Sequence, residues 1–232
     1  MTQRSTGAVL DDLDAQIAAR SILQHPFYRA WSAGTLRRQD LAAYARLYYP
    51  HVAAFPGYLE AAANGADLAP VRAELQENLR EERTEPLPHA ELWLRFAAAV
   101  GAEPALVRAA EPAPAVQESV AEFRRLCAGS TAGALGALYA YESQQPEVSA
   151  LKAAGLRDLY GVTDAEALSY FSVHAEADLR HRAGERRAIG LCVEAGAASE
   201  EVQSGAAGAL AAYWRLLDAV TAECGAAPAP AE

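Results

Sequence analysis

The sequence has almost no lysine. Of its 20 basic residues only Lys152 is a lysine, and the other 19 are arginine. Arginine serves wherever a generic positive charge suffices, but it stays protonated and cannot act as an amine nucleophile. A single surviving lysine marks either chance or a position that needs an amine. Methionine is equally scarce, with Met1 alone. The three cysteines, Cys127, Cys192 and Cys224, are far apart and form no CxxC pair. That excludes a disulfide framework or a zinc knuckle. An apolar run long enough to span a bilayer is missing, and so is a signal-like segment near Met1. The expectation is a cytoplasmic protein with no membrane partner. Positive charge is in deficit: 20 basic against 30 acidic residues give a net charge of −10. This excludes a nucleic-acid scaffold or a binder of anionic membranes, since both need a basic face. The Val/Ile/Thr alternation of strands is missing as well.

What remains is rich in alanine, leucine, glutamate and arginine, which are strong helix formers. The chain reads as an all-α fold, a single helical bundle spanning residues 8–224, with flexible termini at 1–7 and 225–232. Expected helices run over 8–22, 25–31, 39–63, 67–83, 89–100, 115–128, 131–143, 146–153, 164–193 and 199–224. Pro50 and Pro56 are expected to kink or split the 39–63 helix. Thr163-Asp164-Ala165-Glu166 has the form of a capping box. Segment 84–88, Thr-Glu-Pro-Leu-Pro, separates two helices.

There are five histidines. Two of them fall in His174-x3-Asp178-x2-His181. At 100° per residue these three positions share one helix face. Two imidazoles and a carboxylate suit a divalent ion such as iron or manganese. The surrounding Glu176, Arg180, Arg182, Glu185 and Arg186 also permit a plain solvated face. Glu142 ends an apolar helix, where it is either frayed or a buried ligand. Glu82 and His89 lie on either side of the proline segment and converge only if their helices meet there. Glu81 and Glu85 compete with Glu82 for the same role. Together Glu82, His89, Glu142, His174, Asp178 and His181 make three carboxylates and three imidazoles, a set that bundles use to hold two metals.

An ordered series of motifs runs through the chain. It comprises His25-Pro26-Phe27-Tyr28-x2-Trp31, Tyr44, Tyr48-Tyr49, Asn78-Leu79-x-Glu81-Glu82, His89-x-Glu91-Leu92-Trp93, Tyr141-Glu142-Ser143-Gln144 and the His174–His181 motif. In this the sequence resembles the heme-oxygenase-like diiron oxidases. It is most similar to the branch of the chlamydial protein associating with death domains, over roughly Leu10 to Tyr213. The resemblance implies a heme-oxygenase-like bundle with two metals, Fe/Fe or Fe/Mn, on the six residues just named, with O2 and an external reductant. It also implies a homodimer. Members of that branch look like p-aminobenzoate synthases that consume their own side chains. The resemblance places the sacrificed tyrosine at Tyr28 and the amine donor at Lys152, with Tyr44, Tyr141 and Tyr170 near the metals. Read from the residues alone, Tyr28 beside Phe27 and Trp31 is equally a core aromatic, and Lys152 equally an exposed helix residue. Two other functions fit the same features: a diiron oxidase acting on an external fatty acid or amine, and a death-domain-type interaction protein without catalysis.

Overall fold

The computed structural model describes residues 5–224, and within them every regular element is helical. The expected tail at 225–232 lies outside the described residues. Helix α1 (Thr6–Ala19) starts at Ser5, whose hydroxyl accepts from the Ala8 amide. A 3-10 turn at 22–24 follows. Helix α2 (Pro26–Ser32) opens on His25, whose Nδ1 accepts from the Phe27 amide at 3.1 Å while Nε2 lies 3.0 Å from Asp218. Pro26 costs this helix nothing, because a first-turn amide has no intrahelical partner.

Helix α3 (Arg38–Gly65) runs unbroken through Pro50 and Pro56. The expected split does not occur. Each proline removes one backbone bond, but Tyr44, Leu47, Tyr48, His51, Val52, Phe55, Tyr58 and Leu59 are all buried along this helix. Packing of that face outweighs the two lost bonds. Helices α4 (Ala69–Thr84) and α5 (His89–Ala99) flank the proline segment. A short α6 (Pro104–Ala109), absent from the sequence expectation, precedes α7 (Pro114–Cys127).

Helix α8 (Thr131–Glu142) is buried almost all round. It lies so close to α11 (Ser199–Cys224) that a Cβ on Gly136 would sit 2.1 Å from the Val202 carbonyl oxygen. Helix α9 (Gln145–Asp158) runs past the expected 153. The long α10 (Ala165–Glu194) packs on α9, α5, α8 and α4, so it runs through the middle of the bundle. Its cap is Asp164, which accepts from Ala167, in place of the Thr163 that the sequence pattern suggests. No described helix is long and apolar enough to cross a membrane.

Candidate metal centre

Three elements bring the first donor group together. Glu82 sits in the last turn of α4, His89 is the first residue of α5, and His174 projects from α10. The break at 84–88 turns the chain so that the end of one helix meets the start of the next. His89 Nδ1 lies 2.7 Å and His174 Nε2 3.6 Å from Glu82 Oε1. The second group joins Glu142, at the end of α8, to Asp178 and His181 one and two turns further along α10. His181 Nδ1 lies 3.1 Å from Asp178 Oδ1 and 3.3 Å from Glu142 Oε1. Within each group the donor atoms are all within 4.8 Å of one another. All six residues are buried, so the α10 motif is not a solvated face.

Each imidazole has its other nitrogen tied down. His89 Nε2 is 3.1 Å from the Glu85 carbonyl, and His174 Nδ1 is 2.7 Å from the Tyr170 carbonyl. His181 Nε2 is 3.1 Å from the Glu81 carboxylate, which Arg180 holds at 2.8 Å. An outward N–H bond fixes the tautomer and leaves the inward nitrogen free to ligate. The ambiguity among the three glutamates of α4 resolves on this geometry. Glu82 points in, Glu81 braces His181 from behind, and the Glu85 side chain pairs with Arg80. Asn78 donates to both oxygens of Glu142, at 2.9 and 3.1 Å.

The electrostatics match a cation-binding cluster. Burial opposes charge on Glu82, yet His89 and His174 hold its carboxyl well below the usual range. Burial opposes charge on His181 too, but Asp178 and Glu142 push it up to about 11. Burial and the nearby Glu142 push Glu185 well above the ordinary carboxylate range. Buried carboxylates and imidazoles of this kind need a cation among them. Protons fill that role when no metal is bound. The donor chemistry fits two first-row ions, one on Glu82, His89 and His174, the other on Glu142, Asp178 and His181. A cavity of about 10 Å³, room for one water-sized molecule, touches both groups and is lined by Val52, Phe55, Tyr141 and Tyr170.

A second buried cluster lies beside this centre. Lys152, on α9, is 1% exposed, so it is not a surface residue. Its Nζ donates to the Tyr44 hydroxyl at 2.5 Å. The rings of Tyr28, Tyr44 and Tyr48 stand 5.1–5.3 Å from it, and those of Phe171 and Trp93 at 5.6 and 6.0 Å. Burial lowers the amine well below its ordinary value. Burial, then the neighbouring Tyr213 and Tyr44, raises the Tyr28 phenol. Gly155 admits the close approach of α9 to α2, since a Cβ there would sit 2.6 Å from Trp31 Nε1.

Hydroxyls link the two clusters. Tyr141, at the metal-side cavity, lies 3.0 Å from the Tyr48 hydroxyl, which donates to Tyr213 at 2.7 Å. Tyr170 stacks near His174, with ring centres 4.1 Å apart. The structure thus brings Tyr28 and Tyr44 to the lysine, and Tyr141 and Tyr170 to the donor groups. From the sequence Tyr48 stands in the motif series without a role at the site, and Tyr213 has none either. Tyr48 is legible in hindsight as one turn beyond Tyr44, but Tyr213 sits in an apolar helix with no local signal. His51 joins neither group. Its ring is packed among Phe55, Tyr58, Phe123 and Tyr141, and burial lowers it to about 3.

Residues 42–214 match the family model described as iron-containing redox enzyme. The chain belongs to that family. The six buried donors form two groups that suit a dimetal site in such an enzyme. Among curated relatives, a Chlamydia muridarum protein named 4-aminobenzoate synthase is 42% identical over 181 residues, 78% of this chain and 77% of that one. A Nitrosomonas europaea protein of the same name is 35% identical over 227 residues, 93% of this chain and 92% of the relative. Solved structures agree on the fold. A CADD-like protein of unknown function from Nostoc punctiforme superposes with TM-score 0.77 at 22% identity, covering 94% of this chain and 98% of that one. A domain with a heme oxygenase-like fold from Shewanella denitrificans gives 0.74 at 18%, covering 96% and 94%. The family's fold is therefore the heme-oxygenase-like bundle expected from the sequence.

Proposed function

We propose that this chain forms 4-aminobenzoate from its own side chains, Tyr28 supplying the ring and Lys152 the nitrogen, once per molecule. The observation that carries the reading is the enclosure of the only lysine against the Tyr28 ring, with its amine held by Tyr44. The names of the chlamydial and Nitrosomonas relatives support the product.

The protein's own groups account for most requirements. A buried amine held below its ordinary value keeps a lone pair for attack, which an arginine at the same place would lack. The bond from the amine to Tyr44 orients that lone pair. The surrounding aromatic rings exclude water from the reacting groups. Two metals, Fe/Fe or Fe/Mn, on the six donors would supply oxidising power from O2 and an external reductant. In the net change the Cα–Cβ bond of Tyr28 breaks. The ring departs with Cβ, which O2 would oxidise to the carboxyl carbon, and Cα takes up a hydrogen. Nitrogen takes the place of the phenol oxygen as the Cε–Nζ bond of Lys152 breaks, and Cε takes up an oxygen in its stead. The Tyr141 hydroxyl at the donor cavity is bonded to that of Tyr48, whose ring stands by Lys152, so the two clusters adjoin through phenols. The cavity at the donors, with room for one water-sized molecule, is small beside a fatty acid, which supports a substrate drawn from the protein itself.

The experiment is a single exposure of reduced, iron-loaded protein to O2, followed by small-molecule analysis and intact mass. The expected result is at most one 4-aminobenzoate per chain, with mass loss at Tyr28 and a change at Lys152. Product unchanged in both Tyr28→Phe and Lys152→Arg overturns the reading.

A further inference from the structure

The second donor group is flanked by a carboxylate that the reading above leaves unused. Glu185 lies four residues beyond His181 on α10, on the same helix face as His174, Asp178 and His181. It is 2% exposed. Neither of its oxygens meets a hydrogen-bond donor among the described residues. The groups that act on it electrostatically are two further carboxylates, Glu142 and Asp178, and the Cys127 thiol. The arginines around it on α10 are engaged elsewhere. Arg180 pairs with Glu81, Arg182 with Glu147, Arg186 with Asp14 and Arg187 with Glu74. Glu185 therefore adds a third buried carboxylate on the helix face that carries Asp178 and His181, next to the group they form with Glu142, and Asn78 donates to Glu142. Buried carboxylates without donors are costly unless a cation shares them.

We propose that Glu185 is a seventh donor of the dimetal centre and completes the site of Glu142, Asp178 and His181. The proposal rests on the dimetal reading. It makes the two sites chemically unequal. One has a single carboxylate and two imidazoles, and the other three carboxylates and one imidazole. Oxygen-rich sites favour harder ions, so the Glu185 site takes Mn(II) more readily than the first site does.

The test titrates metal-free full-length protein with Mn(II) and, anaerobically, with Fe(II). Bound metal is read by elemental analysis and by the Mn(II) paramagnetic resonance signal. Wild type is expected to bind two ions per chain. Glu185→Gln is expected to keep one and to bind the second at least about tenfold more weakly, with the larger loss for Mn(II). Glu82→Gln is expected to lose the other site and keep the Mn(II) preference. Glu185→Asp retains the charge on a shorter arm, falls between wild type and the amide, and carries the test where the amide does not fold. A Glu185→Gln protein that binds both ions with wild-type affinities overturns the proposal. Wild type binding fewer than two ions is a separate failure, and it overturns the dimetal reading itself.

Discussion

The amine of Lys152 and the hydroxyl of Tyr44 are 2.5 Å apart in a part of the core closed to solvent. Holding an amine there affects folding as well as chemistry. In the unfolded chain Lys152 carries its proton up to its ordinary value near 10.4. In the folded chain burial depresses that value. Between the two values the unfolded state binds the extra proton, so stability rises with pH across that window. The stability of metal-free wild type relative to Lys152→Met is expected to climb as pH approaches 10. Urea unfolding at pH 7, 8.5 and 10 measures it, and a flat difference contradicts the buried neutral amine.

Metal uptake should release protons. His181 is pushed up to about 11 in the metal-free protein, so at neutral pH it holds a proton that a metal must displace. Affinity is therefore expected to rise with pH. Loading in weakly buffered solution with a pH indicator reads the protons released, and His181→Gln is expected to lower that number.

Glu81 belongs to neither metal-donor group, yet it fixes the orientation of His181. Glu81→Ala is expected to weaken binding of one ion by about 10- to 100-fold while the other site is unchanged. Stepwise metal titration separates the two.

Tyr48 sits between Tyr141 and Tyr213. Tyr48→Phe removes the middle hydroxyl and leaves two buried hydroxyls short of a partner, costing about 1–3 kcal/mol. Product yield is expected to fall about tenfold or more with metal content intact. Parallel assays of product and bound iron check this, and an unchanged yield rules out a role for the chain of hydroxyls.

Gly155→Ala drives a methyl group into Trp31. The expected cost is about 1–3 kcal/mol of stability, from overpacking. Because the same contact sets how near α9 comes to α2, product yield is expected to fall further than stability alone explains. Gly161→Ala serves as a poor comparison, since its φ of 69° brings strain of its own.

The donor residues were legible because helical spacing puts His174, Asp178 and His181 on one face whatever surrounds them. Choosing among Glu81, Glu82 and Glu85 was not possible from spacing, since the register is lost across Pro86 and Pro88. Glu185 was hidden by its company: four arginines on the same helix make that stretch read as surface, and only the packing of α8 shows that one side of it is interior. That α3 is not split at Pro50 and Pro56 was not legible, because proline's cost is local, whereas the compensating burial comes from helices far away in sequence. Tyr213 comes from the last helix, 165 residues beyond its partner Tyr48, and no local pattern records that pairing.

The buried lysine also makes the protein a reporter of its own opening. No other side-chain amine exists in the chain. Amine-reactive reagents therefore meet a side-chain target only when the bundle opens far enough to release Lys152. The labelling rate at that one residue times the breathing of the core, and a bound metal that tightens α10 against its neighbours would lengthen the interval.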